Sequence, residues 1–458
     1  MKYFIHEGMT ADPDNTLPNG QQEIGSRELL SQGQLRSFSD LGDQIAFKIR
    51  RKLSNAGAYR KKPAAESAEA QSLASDILAW INENRNGRPV VSVMAPWYED
   101  STLEQSEGYI RRIREIDGSV LNDCICIYFY ECPYYKVNRL VVDRISDTRL
   151  YVRYNTDFRS HREFVDALIV KSDWCYCHSV LRLIPAFHPE NAECWLEFSG
   201  KIPEKIILDI HGAVVEEAKM IEDAAAIPWA EKAEKILFDS ARYAISLTES
   251  MEQYYSAKYG RADMIFFRTP VLSRDISGDG ETYEKESDPP IVVYSGGCQK
   301  WQNIDLMIRA IKDNLDRYVF NIFVSRPDIF ADKWGSDPIP GNVIVKNGAP
   351  NEITEVYKKA RFGFILRDDT VLNRVACPTK LMEYIQFGII PVVKSANIGD
   401  FRKLGLRTVS VAELSADRDR AATRCAAEKN SEIVNQLRTE YKHNIRKLTE
   451  LLQDTAKT

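Results

Sequence analysis

Two charged side chains, Lys380 and Glu383, carry the clearest chemical signal in this sequence. They follow Pro378 and Thr379, which suit the first turn of a helix because proline is preorganised for it and threonine can satisfy free N–H groups. The start of a helix offers N–H groups and a partial positive charge to an anion such as a diphosphate, and Lys380 adds a full charge. Glu383 shares the helix face with Lys380, and its carboxylate can accept hydrogen bonds from two neighbouring hydroxyls. A surface ion pair between the two side chains is the alternative.

The elements that must position these residues predict an α/β protein. After Pro89, short apolar runs alternate with amphipathic stretches of about 10–15 residues, a pattern typical of βαβ units and a parallel sheet. Strands are predicted at Val90–Met94, Cys124–Tyr130, Trp174–Cys177, Ile206–Ile210 and Tyr243–Leu247, and helices at about 73–81, 103–116 and 229–237.

A polar, turn-rich segment interrupts this alternation, which then resumes and predicts a second domain. The second set has strands at 291–295, 320–324, 343–345, 362–366 and 389–393, and helices at about 304–315, 352–360 and 379–387. Two such sheets place a ligand cleft between the domains. The predicted organisation is a polar, partly helical extension at 1–85, a first domain at 86–268, a linker at 269–290, a second domain at 291–411 and a helical tail at 412–458.

Composition limits the classes of function. The chain has 458 residues, 61 Lys and Arg against 66 Asp and Glu, and a formal net charge of −5, so it does not carry the bulk positive charge of a nucleic-acid-binding protein. Nine cysteines, an odd number, together with a first segment unlike a secretory leader, predict free thiols and a cytoplasmic protein. A helical segment at 35–53 with a basic end predicts either peripheral contact with an anionic membrane or a helix docked on the main body.

Two patterns resemble metal sites, and neither is favoured. The segment Asp275–Glu286 nearly fits a calcium loop, but a hydrophobic position is filled by Thr282 and an acidic linker fits better. Cysteines at 124, 126, 175 and 177 with His178 do not have the four-ligand spacing of a structural zinc site, so buried thiols are expected. No phosphate loop or serine nucleophile elbow is present, and no metal or cofactor is expected.

The segment Pro378–Tyr384, followed by Gly388 and Pro391–Val393, resembles the donor-site helix of GT-B glycosyltransferases of the group 1 type (glycosyltransferase family 4). Three other segments resemble further motifs of that family in the same order: Asp209–Gly212, Tyr294–Asp305 and Lys346–Ala360. Together the matches cover roughly residues 90–410. The resemblance implies two Rossmann-like, doubly wound parallel-sheet domains facing across a cleft, with C-terminal helices that return across the first domain.

The resemblance also implies roles for individual residues. Catalysis would involve Lys380 and Glu383 at the donor and His211 beside the transferred sugar, unless His211 is a buried structural histidine. Donor-binding residues would be Gly296, Gly297, Lys300, Gly348, Pro378, Thr379 and Leu381. On the acceptor side we expect His178, for which a structural role is equally open, and Trp97.

The sequence departs from the family pattern at three charged positions. The first of two glutamates that the family often carries is replaced by Val375, and Asp368 or Asp369 is a candidate to replace its function. The family's arginine and lysine after the glycine turn are replaced near Gly297 and Gln302. These changes affect the identity of the sugar more than the class of reaction.

The resemblance implies a retaining, metal-independent glycosyltransferase that uses a nucleotide-diphosphate sugar. The acceptor expected is a saccharide or a lipid-linked saccharide in surface polysaccharide biosynthesis, reached from the inner face of the cell membrane. Two alternatives remain: a GT-B enzyme of other chemistry, such as an inverting transferase or an epimerase, and an inactive GT-B module that binds glycan or nucleotide as an assembly partner.

Overall fold

The structure is a computed structural model. It describes residues 2–4, 64–95, 108–131, 139–155, 159–178, 203–222, 226–270, 285, 287–415 and 420–455. Trp97, the basic helical segment at 35–53 and nearly all of the calcium-like segment at 275–286 lie outside these ranges. No helix in the described ranges is long and apolar enough to cross a membrane.

A nine-stranded sheet with helices on both faces forms the first domain. Its strands are β1 (Lys2–Phe4), β2 (Val90–Met94), β3 (Ile125–Glu131), β4 (Val141–Arg144), β5 (Arg149–Tyr154), β6 (Trp174–His178), β7 (Ile206–Asp209), β8 (Tyr243–Ser246) and β9 (Ile265–Arg268). Its helices are α1 (Ala64–Asn84), α2 (Gly108–Ser119), α3 (Arg159–Lys171), α4 (Val214–Met220), α5 (Ala226–Ser240) and α6 (Glu249–Tyr259). Each strand predicted in this half is present within two residues of its predicted ends.

The strand order of the first sheet is β1-β4-β5-β3-β2-β6-β7-β8-β9. The strands from β5 to β9 pair in parallel, whereas β4 pairs antiparallel with both β1 and β5. The predicted parallel sheet is therefore present, and β4 is added to it as an antiparallel strand near this edge. Strands β4 and β5 form a hairpin. A hairpin needs no crossover helix, so no helical spacing in the sequence indicates that it is present.

A six-stranded parallel sheet forms the second domain. Its elements are β10 (Ile291–Gly296), α7 (Ile304–Lys312), β11 (Val319–Val324), α8 (Pro327–Trp334), β12 (Val343–Lys346), α9 (Pro350–Lys359), β13 (Phe362–Ile365), α10 (Val371–Arg374), α11 (Thr379–Gln386), β14 (Ile390–Val393), β15 (Val409–Ser410) and α12 (Val411–Leu414). The strand order is β12-β11-β10-β13-β14-β15. This is the order of a doubly wound sheet, in which the order of strand addition reverses between the parallel neighbours β10 and β13.

One long helix, α13 (Arg420–Thr455), joins the two domains. Near its start Ile433 and Val434 pack in the apolar cluster that includes Leu381 of the second domain. Near its end Leu448 and Leu452 complete an apolar cluster under the first sheet. The C-terminal helix therefore returns across the first domain, as the resemblance implies.

Candidate functional site

The reversal point of the second sheet is the edge at which doubly wound domains bind ligands. Strand β10 ends there at Gly296, and Arg367 lies two residues beyond the end of β13. A cleft opens at this edge and is lined by Met220, Lys300, Trp301, Arg367, Asp368, Thr370, Leu372 and Asn373. Because Met220 belongs to α4 and the other residues to the second domain, the cleft lies between the domains.

Lys380 reaches from the first turn of α11 to the end of β10. Its ammonium lies 3.7 Å from the ring centroid of Tyr294 and 3.3 Å from the amide oxygen of Gln302. A methyl group on Gly296 would stand only 2.8 Å from the same ammonium. The glycine at this position is therefore what allows Lys380 to approach the strand end.

The surroundings of Lys380 disfavour its charged form. Burial lowers the pKa of Lys380 well below its ordinary value, and the positive charge of Arg367 lowers it further, while Glu383 raises it in part. Burial also lowers the pKa of Arg367. Two cations crowded in this way favour a bound anion, since an anion restores the charge balance.

Glu383 lies on the same helix beside two hydroxyl groups. The hydroxyl of Tyr357 donates to its carboxylate at 3.4 Å and is also hydrogen-bonded to Ser295. Glu383 is half-buried and forms no ion pair with Lys380 within the described ranges. The surface-pair alternative for these two residues is thus not what the structure has.

Two of the other predicted donor residues, Gly297 and Gly348, lie in turns that follow strands of the second sheet. The turn after β10 is braced by Tyr294, whose hydroxyl donates to the carbonyl of Gly297 at 2.6 Å. A side chain at Gly348 would collide with the ring of Phe323, so this turn lies directly against the sheet. Both glycines lie at carboxyl ends of strands, on the edge of the sheet where the cleft opens.

The start of α11 differs from the prediction in one respect. Pro378 precedes the first helical residue, Thr379, and no side chain caps the helix, so Thr379 does not satisfy the free N–H groups. Leu381 is fully buried in the core, which leaves only its backbone available to a ligand. The N–H groups of the first turn of α11 are therefore not hydrogen-bonded to a capping side chain.

Three charged residues considered for the donor site already have partners. Lys300 pairs with Glu222 of the first domain at 3.1 Å, with both side chains more than two-thirds exposed. Asp368 accepts from Asn303 at 2.9 Å and pairs with Lys394.

Asp369 is similarly engaged, since it pairs with Arg374 at 2.6 Å. Val375, which stands in place of the family's first glutamate, is buried and directly follows the last residue of α10.

On the first domain, His211 follows the end of β7 and its imidazole lies above a buried charge network. Its Nε2 atom is 3.4 Å from the carboxylate of Asp209, and its side chain is 19% exposed. Asp209 also accepts from the Nε of Arg112 at 3.2 Å, and both of these side chains are fully buried. Burial raises the pKa of Asp209, but the charges of Arg112 and the histidines more than offset this and hold the pKa well below its usual range.

His178 belongs to this network rather than to the open cleft. Its ring is fully buried, contacts the ring of His211 at a centroid distance of 4.0 Å, and is hydrogen-bonded through Nδ1 to the hydroxyl of Tyr176 at 3.1 Å. Tyr176 also donates to Asp209. Of the two roles left open for His178, the structure favours the structural one.

The side chains of His178, Asp209 and His211 lie close enough together to be considered as metal ligands. The carboxylate of Asp209, however, is already bonded by Arg112 and Tyr176. A fixed guanidinium charge within hydrogen-bond distance opposes a divalent cation at the same oxygen. The group therefore fits a charge-paired network better than a metal centre.

Sequence reasoning missed Arg367, which lines the cleft, and Glu217 of α4, whose carboxylate interacts electrostatically with it. Desolvation by the surrounding protein raises the pKa of the Glu217 carboxyl, and the positive charge of Arg367 lowers it in part. Gly212 allows this arrangement, since a methyl group there would lie 3.0 Å from the Glu217 carboxylate. The available signal was the position of Arg367 just after a predicted strand of the second sheet.

The predicted thiols are present as expected. Cys124, Cys126, Cys175 and Cys177 are buried and free, with the sulfurs of Cys175 and Cys177 3.9 Å apart. Burial raises the pKa of Cys124 to about 12, so this thiol does not act as a nucleophile or ligand at neutral pH.

No protein-family model matches the sequence, and no curated protein matches it. Solved structures do. The chain is similar to an α,α-trehalose-phosphate synthase (UDP-forming) from Burkholderia vietnamiensis, with 11% identity and a TM-score of 0.54 over 80% of this chain and 99% of that one. It is also similar to HepE from Anabaena, solved with UDP and glucose, at 10% identity and a TM-score of 0.54 over 79% of this chain and 100% of that one.

A third similar structure is WaaG, a glycosyltransferase involved in lipopolysaccharide biosynthesis, at 10% identity and a TM-score of 0.52 over 79% of this chain and 99% of that one. Identities this low establish the architecture only. The chain therefore has the GT-B fold, as the sequence predicts.

Proposed function

We propose that this protein transfers a sugar from a nucleotide-diphosphate sugar to a saccharide or lipid-linked saccharide acceptor, with retention of the anomeric configuration. The observation that carries the proposal is the placement of Lys380 at the end of β10, within electrostatic reach of Arg367, which lines the interdomain cleft. A cleft of this kind suits a polyanionic small molecule that carries a polar group on each side of its charged centre, as a nucleotide-diphosphate sugar does.

In this mechanism the chain's main task is to stabilise the departing diphosphate. Lys380 and the uncapped N–H groups of α11 stabilise the negative charge that develops as the bond to the sugar breaks. Glu383 accepts hydrogen bonds from the ribose hydroxyls. No protein nucleophile is needed, since the acceptor attacks from the face that the leaving group vacates, and no metal is needed because side chains provide the charge.

His211 holds the transferred sugar from the opposite wall. Asp209 orients its imidazole, and the pairing of Asp209 with Arg112 limits how much negative charge the histidine experiences. In retaining transfer His211 acts by hydrogen bonding to the sugar. The acceptor then enters on the first-domain side, at the cytoplasmic face, and the basic segment at 35–53 contacts the membrane.

The test is a panel of nucleotide sugars assayed for slow donor hydrolysis and for transfer, with Lys380→Ala as the control. We expect one donor to turn over, and Lys380→Ala to reduce its turnover by about 100-fold or more. If no donor binds and none turns over, the proposal is wrong. If donors bind without turnover, the chain is instead an inactive GT-B binding module.

A second candidate is inverting transfer, and the 3.4 Å approach of His211 to Asp209 favours it. A histidine oriented by an aspartate is a recurrent general base, and a base that deprotonates the acceptor leads to inversion. NMR of the product anomer separates the two. The donor anomer is kept in retaining transfer and reversed in inverting transfer.

A further inference from the structure

Arg367 occupies the reversal point of the second sheet without a role in the proposed mechanism. Strands β10 and β13 are neighbours in parallel register, Gly296 ends β10, and Arg367 follows β13 by two residues. Arg367 lines the cleft. Its positive charge lowers the pKa of Lys380 and also acts to lower that of Tyr294, whose ring Lys380 contacts. The two cations therefore belong to one local group.

The cations around the cleft differ in whether an acidic partner holds them. Lys300, Lys394 and Arg374 each pair with a carboxylate. Within the described part of the chain, Lys380 and Arg367 form no ion pair, and the only polar contact of Lys380 is with Gln302. Unpaired cations at a cleft are costly to keep unless an anion occupies the site for part of the time.

The sequence supplies an independent reason for a relocated charge. Near Gly297 and Gln302 the resemblance leads one to expect an arginine and a lysine, and both are absent. Gln302 is instead an acceptor for Lys380. The glycine turn thus contributes no cation other than Lys300, which Glu222 already holds.

We propose that Arg367 binds the diphosphate of the donor together with Lys380, replacing the cations that the glycine turn lacks. The inference rests on the proposed function for the identity of the donor but not for the presence of an anion site. A guanidinium suits this role because its donors match two phosphate oxygens at once and it stays charged when buried.

Glu217 gives the site a second testable property. Its carboxylate lies on the first-domain side, attracts Arg367, and repels an incoming diphosphate. Neutralising Glu217 therefore strengthens anion binding, whereas neutralising Arg367 weakens it. A merely structural contribution from either residue would not produce opposite effects.

The experiment is titration calorimetry of the full-length chain with inorganic pyrophosphate at constant ionic strength. Arg367→Gln should weaken binding by about 10- to 100-fold, as expected for a charge-assisted hydrogen bond, and Arg367→Lys by less. Glu217→Gln should tighten binding by about 2- to 5-fold. Lys358→Gln, which removes a surface lysine paired with Glu355, should change nothing.

Two results overturn the inference: wild-type protein that does not bind pyrophosphate, or an Arg367→Gln variant that binds as wild type while Lys300→Gln does not. A folding defect in Arg367→Gln is recognised by its urea midpoint, and Arg367→Lys then decides. Pyrophosphate binding that depends on Arg367, without any sugar transfer, leaves this inference standing and removes the proposed function. Sugar transfer that does not depend on Arg367 would leave the proposed function standing and overturn this inference.

Discussion

The carboxylate of Asp400, in the second domain, caps the first turn of helix α6 in the first domain. It accepts hydrogen bonds from the backbone N–H of Ser250 at 2.9 Å and from its hydroxyl at 2.6 Å. Thr248, which caps the same helix, donates to the carbonyl of Val375 at 2.8 Å. The loop that leads into α11 is therefore tied to the first domain.

Asp400→Ala should loosen this contact between the domains. We expect the free energy of unfolding to fall by about 1 kcal/mol, as for other lost helix caps, and the KM for the donor to rise by about 10-fold because the cleft is no longer held. The control is Ser410→Ala, since Ser410 caps α12 within one domain. It should cost similar stability and leave KM unchanged; equal rises in KM for both variants contradict the prediction.

Gly296→Ala should displace Lys380, because the added methyl would stand 2.8 Å from its ammonium. Turnover of the donor should fall by at least about 10-fold. Gly335→Ala is the matched control, since Gly335 also has a positive φ, of 101°, but open space around its Cα. Both variants carry similar backbone strain, so a loss of activity common to both would rule out the steric explanation.

Binding of a diphosphate should be coupled to proton uptake. Because burial lowers the pKa of Lys380, the fraction of neutral lysine grows as the pH rises toward the alkaline range, and a bound anion restores the charged form. Calorimetry in buffers of different ionisation enthalpy should detect up to about one proton per pyrophosphate, increasing with pH. Lys380→Arg, which stays charged, should bind without uptake; identical uptake in both proteins would place the proton elsewhere.

The buried pair of Arg112 and Asp209 should be strongly coupled in stability. Asp209→Asn leaves a buried guanidinium without its counter-charge, and we expect a loss of about 3–5 kcal/mol, partly recovered by adding Arg112→Met. Lys235→Met, which removes an exposed pair with Asp239, should cost about 0.5 kcal/mol or less. Urea unfolding is measured for the wild type, Asp209→Asn, Arg112→Met, the double variant and Lys235→Met, and a double variant whose loss equals the sum of the two single losses would contradict the coupling.

The same pair sets a pH dependence. The pKa of Asp209 is lowered in the folded protein, so its contribution to stability is complete above the unfolded pKa of about 4 and is lost as the pH falls below it. The stability difference between wild type and Asp209→Asn should therefore be constant near neutral pH and narrow on acidification. A stability difference between the two proteins that widens at low pH would contradict this prediction.

Chelation should not abolish transfer. The proposed mechanism uses Lys380 and helix N–H groups for charge stabilisation, so activity after treatment with EDTA should stay within about 2-fold of the untreated enzyme. Loss of activity that Mg²⁺ or Mn²⁺ restores would show that the diphosphate needs a cation that the chain does not provide.

A site residue can be predicted from the sequence when its role follows from the pattern of its neighbours in the chain. Lys380 and Glu383 were predictable because helix spacing places them on one face, and the strand at Val90–Met94 because its apolar run is unbroken. Arg112 and Asp209 are 97 positions apart, and nothing in the sequence indicates that a fold brings them together. Arg367 was missed because a single arginine after a strand resembles any surface residue.

Helix α13 has a consequence for how the chain is made. The last strand of the first domain ends at Arg268, yet the apolar cluster of that domain includes Leu448 and Leu452, and the indole of Trp174 donates to the carbonyl of Leu452 at 3.3 Å. Domains generally fold from the N-terminus as they leave the ribosome. Completion of this cluster must wait for α13, so the nascent first domain exposes apolar surface throughout translation of the second domain.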